Sequence, residues 1–192
     1  TEIYTLSLHD ALPISLDTLT DSQIRNLLSD KKVTFSQFYP KLKEEPYFII
    51  NSNLSSEYFN LKKIVNKDNP IKRPLKMMPT SDSVIKYVLS NPNVIGIGYL
   101  SQILTQPDLK PISISYIDSA GNYMFPRVVH QANILQKFYP YIITHYCYLL
   151  RDNQEETLSF ARFISKNPAI QKYFNKIGIV PGYAKIKLID EG

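Results

Sequence analysis

Short apolar runs of strand length alternate along this chain with segments of helical periodicity, and this alternation constrains the fold more than any single motif. The clearest case begins at Thr80 or Ser81, either of which can cap a helix whose apolar residues recur at three- and four-residue spacing. Those residues are Val84, Ile85, Val88 and Leu89. Pro92 predicts the end of this helix, and Val94–Tyr99 then has the apolar composition of a buried strand.

The same alternation continues through the rest of the chain. Thr20 and Gln23 have the spacing of a capping box, which predicts the start of a short helix. The same criteria predict helices over 57–65, 155–164 and 167–178, and strands over 47–50, 112–117, 142–150 and 184–189. Strands and helices joined by short loops predict a layered α/β fold.

The composition places the chain among globular proteins. Of its 192 residues, 44% are apolar and 20% are charged, which excludes the composition of a disordered chain. The formal net charge is +5, but the basic residues are scattered, and their densest group is Lys62, Lys63, Lys67, Lys72, Arg73 and Lys76. We interpret this group as a solvated face, which argues against nucleic acid as a partner, whereas a small anionic ligand suits the sign of the charge.

Side chains that could form a disulfide, a metal site or a catalytic site are sparse. Cys147 is the only cysteine, and His130 and His145 lack the neighbouring ligands of a metal site. No nucleophile stands beside a base, so we expect a protein that is not an enzyme and that uses no metal and no cofactor. The apolar stretches are shorter than the roughly 20 residues that a membrane-spanning helix needs.

The first fourteen residues, TEIYTLSLHDALPI, do not read as natural protein sequence. They can be read back, codon by codon, as a string that resembles a widely used sequencing-adapter oligonucleotide translated in one frame. We therefore expect residues 1–15 to be an artefactual leader, with the natural sequence starting at about Ser15 or Leu16. The missing signal peptide then carries no information about localisation.

Four strings resemble, in the same order, the substrate-binding proteins of phosphate-specific ABC transporters. They are residues 19–28 (LTDSQIRNLL), residues 83–99 with the pattern NPNVIGIGY, residues 131–140 ending in Tyr-Pro, and residues 160–181 ending in GIVP. The resemblance, with the four strings in this order, extends over residues 16 to 190. The resemblance implies a periplasmic-binding-protein-like fold of type 2, in which two α/β lobes close on an oxyanion without doing chemistry.

The resemblance also implies how the chain divides. Residues 16–140 would form lobe two, and residues 141–192 would form a strand crossing back to lobe one and the C-terminal part of that lobe. Most of lobe one would precede Leu16, so the α/β fold is expected to be incomplete. We expect the 192-residue chain by itself to bind little ligand.

In this family a serine-glycine-threonine loop at a helix start binds phosphate, and counting back from Phe59 puts that loop at Asn53, Leu54 and Ser55. The resemblance thus implies that Asn53, Ser55 and the adjacent Ser56 bind the ligand. Leu54 stands where the family has glycine, and Ile49 where it often has an arginine. Both departures remove strong anion contacts. The alternative interpretation is that Asn53, Ser55 and Ser56 only cap the helix.

The function implied is that of an extracytoplasmic solute-binding protein, periplasmic or at the cell surface. Its partners would be inorganic phosphate or a related oxyanion and the subunits of an ABC permease. Contact with the membrane would come only through the transporter or an N-terminal anchor outside this sequence. The alternative, motivated by Leu54 and Ile49, is a diverged binding or surface-interaction protein of the same fold that no longer binds phosphate.

Overall fold

Alternating strands and helices build two sheets in the computed structural model, which describes residues 2–9, 16–42, 44–67, 69–146 and 155–181. The strands are β1 Glu2–His9, β2 Thr18–Thr20, β3 Tyr47–Asn51, β4 Lys76–Met78, β5 Val94–Tyr99, β6 Leu109–Pro111, β7 Ser113–Ile117, β8 Tyr123–Arg127 and β9 Ile142–Ile143. The helices are α1 Asp21–Ser29, α2 Ser56–Asn60, α3 Ser81–Ser90, α4 Leu100–Ile103, α5 Gln131–Leu135, α6 Glu155–Lys166 and α7 Pro168–Lys176. A 3₁₀ turn spans Phe35–Gln37, and α2 continues as a π-helical segment over Leu61–Val65.

The larger sheet has the strand order β4-β3-β5-β1-β6, with β9 paired to β1. Strand β3 runs parallel to both β4 and β5, whereas β1 is antiparallel to β5 and β6. Because parallel strands end on the same side of a sheet, the carboxyl ends of β3, β4 and β5 meet at one edge. The smaller sheet has the order β2-β7-β8.

Both faces of the larger sheet are covered. Phe48 and Ile50 of β3 are fully buried in one apolar cluster together with residues of α1, including Ile24. Ile49, between them on the strand, belongs to a second cluster with Val84, Val88, Val94 and Leu109. Successive side chains of a strand point to opposite faces, so α1 and α3 lie on opposite sides of the sheet. The predicted layered α/β fold is confirmed.

Helix ends follow the capping chemistry read from the sequence. The Thr20 hydroxyl accepts a hydrogen bond from the Gln23 N–H at 3.0 Å, and the Gln23 amide oxygen accepts one from the Thr20 N–H at 2.8 Å. Thr80, the first of the two candidates, caps α3, and Asn167 caps α7 in front of Pro168. Gly178 has a φ of +89°, the left-handed conformation that glycine adopts most easily after a helix.

The predicted strand over residues 142–150 is wrong for Thr144–Tyr146. Strand β9 ends at Ile143, which pairs with Glu2 at the start of β1, so the described part of β1 offers no partner to the residues that follow. Thr144, His145 and Tyr146 are exposed and are not in a strand. The rest of this prediction, from Cys147 on, and the predicted strand over residues 184–189 lie outside the described residues.

Residues 2–9, which belong to the expected artefactual leader, form β1 between β5 and β6. The backbone of β1 pairs with four residues of β5, from Tyr4 opposite Tyr99 to Ser7 opposite Gly96. The adapter origin of this segment stays a prediction, as do the domain boundaries at residues 15 and 140.

Replacing Thr20 with alanine removes one half of the capping box at the start of α1. We expect the free energy of unfolding to fall by about 1 kcal/mol, because the Gln23 N–H loses its acceptor. Thr20→Ser keeps the hydroxyl and should stay close to the wild type. Urea unfolding followed by circular dichroism measures both variants, and equal midpoints for the alanine and serine variants would show that the cap contributes nothing.

Candidate ligand-binding site

The predicted phosphate loop lies at the carboxyl edge of the parallel strands. Strand β3 ends at Asn51, residues 52–55 form the loop, and α2 begins at Ser56. Strands β4 and β5 end on either side of it. Ligands of open α/β sheets bind outside this edge, so the fold puts the loop where a ligand would be expected.

Ser55 caps α2. Its hydroxyl accepts a hydrogen bond from the Tyr58 N–H at 3.2 Å, and its own N–H donates to the Ser52 carbonyl at 2.8 Å. These contacts support the alternative interpretation of Ser55, which is that it caps the helix. It is compatible with ligand binding, since a hydroxyl that accepts one bond still has a proton to donate.

Asn53 and Leu54 form the exposed tip of the loop, and the Leu54 side chain is 93% exposed. Leu54 does not have a positive φ, so the loop folds in this way without the conformational freedom of glycine. The Leu54 N–H donates to the Ser52 hydroxyl at 3.2 Å.

Ser56, the third predicted ligand residue, takes part in a hydrogen-bond chain within the protein. Its hydroxyl accepts a bond from the Tyr99 hydroxyl at 2.9 Å and donates to the Glu57 carboxylate at 3.3 Å. The Asn60 amide donates to the Tyr99 hydroxyl at 3.1 Å. Ser56 thus connects the start of α2 to the end of β5.

Glu57 was not singled out from the sequence, although it is only 5% exposed and lies at the centre of this edge. Its carboxylate accepts hydrogen bonds from the Ser81 hydroxyl at 2.9 Å and the Gln102 amide at 3.3 Å. A signal was present, because Glu57, Leu61 and Ile64 recur at helical spacing on the face that is buried.

Two opposing effects act on the pKa of Glu57. Burial raises it, whereas hydrogen bonds from its own N–H and from Ser81, Gln102 and Asn51 lower it. The hydrogen bonds prevail, so the pKa lies below its ordinary value and the carboxylate is charged at neutral pH.

Ile49 lies in the core. Its side chain is fully buried in the apolar cluster between the sheet and α3, beside Val84 and Val88, and is not exposed at the loop. An arginine at this position would have to place its guanidinium among apolar side chains. Residue 49 therefore contributes to the packing of the sheet against α3 and not to the surface of the loop.

The basic group seen in the sequence is largely solvated. Its five lysines are exposed, and Lys63 lies over the ring of Phe59 at 5.9 Å. Arg73 differs, because it is partly buried and its Nε donates to the carbonyl of Leu27 at 2.7 Å. This arginine joins the loop before β4 to α1, which is a structural role that sequence analysis did not separate from the lysines.

A groove of about 700 Å³ lies elsewhere, between α1, the β7–β8 hairpin and the segment before β9. Its charged lining is partly neutralised, since Arg25 pairs with Asp21 at 2.8 Å and the buried Tyr141 hydroxyl donates to Asp21 at 2.7 Å. The groove shares no lining residue with the predicted loop.

No group of three or more His, Cys, Asp or Glu side chains among the described residues is arranged to hold a metal ion. His130, whose sequence neighbours do not suit a metal site, caps α5 by accepting a hydrogen bond from the Ala132 N–H at 3.2 Å. Within the same part of the chain, no helix has the length and apolar character needed to cross a membrane.

Replacing Glu57 with glutamine should make stability less dependent on pH. Since the folded-state pKa is lowered, the contribution of the carboxylate is complete above the unfolded-state value of about 4.3 and is lost as the pH falls through the folded-state value. We expect Glu57→Gln to lower the free energy of unfolding by about 1–3 kcal/mol at neutral pH.

The measurement is a series of urea unfolding curves from neutral to acidic pH. The wild type and Glu57→Gln should converge at the acid end. Asp108→Asn, which removes the same charge from an exposed turn, serves as the control. A constant difference between wild type and Glu57→Gln at all pH values would contradict the assignment.

Comparison with known proteins finds matches to solved structures and none to sequences. No family model and no curated protein sequence matches the chain. A possible phosphate binding protein from Planctomyces limnophilus superposes with a TM-score of 0.69 at 12% identity, over 94% of this chain and 64% of its own. A candidate phosphate ABC transporter substrate-binding protein with bound phosphate from Clostridium perfringens gives 0.66 at 17% identity, over 97% and 69%.

An ABC-type phosphate transport receptor from Vibrio cholerae gives a TM-score of 0.64 at 15% identity, over 93% of this chain and 69% of the receptor. The chain thus spans 64–69% of the length of these three proteins. At such low identities the likeness concerns the fold, and in that respect the expectation from the sequence is confirmed. The chain shares its α/β fold with these three proteins over about two thirds of their length.

Proposed function

We propose that this chain is part of an extracytoplasmic solute-binding protein that binds phosphate or a related oxyanion and passes it to an ABC permease. The observation that carries the proposal is the position of the loop at residues 52–55. It joins the end of a central parallel strand to a helix start, in a fold shared with phosphate-binding proteins.

The chemistry of the loop suits an oxyanion. Asn53 contributes an exposed amide, and Ser55 contributes a hydroxyl beside the first N–H groups of α2. Neutral donors of this kind bind an anion through several hydrogen bonds, each stronger than a bond between two neutral groups. Ser56 would act mainly by holding the start of α2 against Tyr99.

The remaining parts of the proposal follow from this function. The protein would work outside the cytoplasm, in the periplasm or at the cell surface, and would contact the membrane through the permease or an N-terminal anchor. It would hold its ligand without transforming it, so no enzymatic activity is proposed.

A second candidate is a diverged protein of the same fold that no longer binds phosphate. Two observations favour it: an exposed leucine, Leu54, stands at the tip of the loop, and residue 49 is a core isoleucine. In that case the exposed loop would contact another macromolecule or the cell surface.

Titration of inorganic phosphate distinguishes the two candidates. It should be done by calorimetry on the protein translated from the complete genomic reading frame, which includes whatever precedes Leu16. We expect binding, and we expect Ser55→Ala to weaken it by about tenfold or more, because one hydrogen bond to a charged ligand is worth about 1.5–3 kcal/mol. Ser90→Ala, at the exposed end of α3, is the matched control. Absence of phosphate binding in the complete wild type would favour the diverged protein.

Leu54→Gly tests the same loop in the opposite direction. Removing the exposed side chain should strengthen phosphate binding, since glycine lets the backbone approach the anion and residue 54 loses no apolar contact. Calorimetry on the complete protein measures the change. Unchanged or weaker affinity would mean that the anion does not contact the backbone at residue 54.

A further inference from the structure

The carboxylate of Glu57 is held by side chains from several elements that meet at the carboxyl edge of the sheet. Ser81 at the start of α3 and Gln102 in α4 donate to one oxygen, at 2.9 and 3.3 Å, and Ser56 donates to the other at 3.3 Å. Asn51, at the end of β3, donates to the Ser81 hydroxyl at 3.2 Å. These groups are neutral donors around one buried anion.

A second set of hydrogen bonds fixes the direction of each donor. The Gln102 amide oxygen accepts from the Tyr99 N–H at 2.8 Å, so its NH₂ group faces Glu57. The Asn51 amide oxygen accepts from the Ser52 N–H at 2.7 Å, so its NH₂ group faces Ser81. Because Ser81 accepts from Asn51, its proton is directed to Glu57.

The backbone is shaped to this arrangement at Gly98. A Cβ atom at residue 98 would lie 2.4 Å from the Gln102 amide oxygen, closer than atoms can approach. A side chain at residue 98 would therefore displace the Gln102 amide from the position in which it contacts both the Tyr99 N–H and the Glu57 carboxylate. The donor groups of Ser56, Ser81 and Gln102 are thus oriented in advance, as in a binding pocket, and the Glu57 carboxylate occupies the position of the ligand.

We propose that Glu57 is an internal anion, which fills a donor-lined pocket that would otherwise admit a small external carboxylate or oxyanion. The carboxylate fixes α2, α3 and α4 to one another and restricts any external oxyanion to the outer side of the loop at residues 52–55. This proposal does not depend on phosphate being the ligand of the protein, because the pocket is defined by its bonds to Glu57.

The test is chemical rescue. Glu57→Ala removes the carboxylate and leaves the donors of Ser81 and Gln102 without it, so we expect a lower Tm than that of the wild type. Added formate, acetate or inorganic phosphate should then raise the Tm of this variant in a concentration-dependent way, because each probe binds the folded state. The wild type in the same salts gives the general salt effect to be subtracted.

Two controls separate pocket filling from a general effect on stability. Glu57→Gln keeps the space occupied by a neutral amide and should not be rescued, and Asp108→Ala removes an exposed carboxylate and should behave like the wild type. The proposal is overturned if the probes raise the Tm of Glu57→Ala no more than that of the wild type, or if they rescue Glu57→Gln equally.

If Glu57→Ala does not fold, a double-mutant cycle of Glu57→Gln and Ser81→Ala replaces it. The Tm loss of the double variant should be smaller than the sum of the two single losses, because both changes remove the same hydrogen bond. Additive losses would overturn the proposal.

The proposed function and the internal anion can fail separately. Failed rescue of Glu57→Ala would overturn the internal anion alone, whereas absence of phosphate binding in the complete wild type would count against the proposed function alone. Loss of phosphate binding in Ser55→Ala together with rescue of Glu57→Ala would support both.

Discussion

The parallel pairing of β3 with β4 and β5 is the constraint on which the rest of the structure depends. It buries β3 on both faces, with Phe48 and Ile50 on one side and Ile49 on the other. It also brings three strand ends to one edge, where the following loops and helix starts must satisfy their backbone groups side by side. The candidate ligand loop and the Glu57 pocket both arise from this requirement.

Much of the fold could be predicted from the sequence because its signals are local. The capping box at Thr20, the cap at Thr80 and the end of α7 at Gly178 depend on residues within one turn of each other. The strand predicted beyond Ile143 failed for a non-local reason: a strand needs a partner, and apolar composition does not say where the partner begins. The π-helical turn over Leu61–Val65 likewise has no signature in residue spacing.

The local structure around the candidate site was predictable, but its hydrogen-bond partners were not. Counting residues predicted a loop at residues 53–55 in front of a helix; in the structure Asn53 is in that loop and Ser55 caps α2, while ligand binding by these residues stays a prediction. Residue spacing could not reveal that Ser56 bonds to Tyr99, or that Glu57 bonds to Ser81, because these partners are 43 and 24 residues apart in sequence. An acidic residue near a helix start also has an ordinary explanation in the helix dipole, which concealed the burial of Glu57.

The charge at this edge limits how an oxyanion can bind. Residues 51–57 (NSNLSSE) contain no cationic side chain, and their one ionisable group, Glu57, is a carboxylate whose pKa is lowered. A phosphate dianion placed outside the loop would gain hydrogen bonds from Asn53 and Ser55 and would feel repulsion from Glu57, which the low local dielectric screens weakly. Since residues 51–57 supply no positive charge to offset this repulsion, tight binding of a dianion needs a cationic side chain from outside this loop.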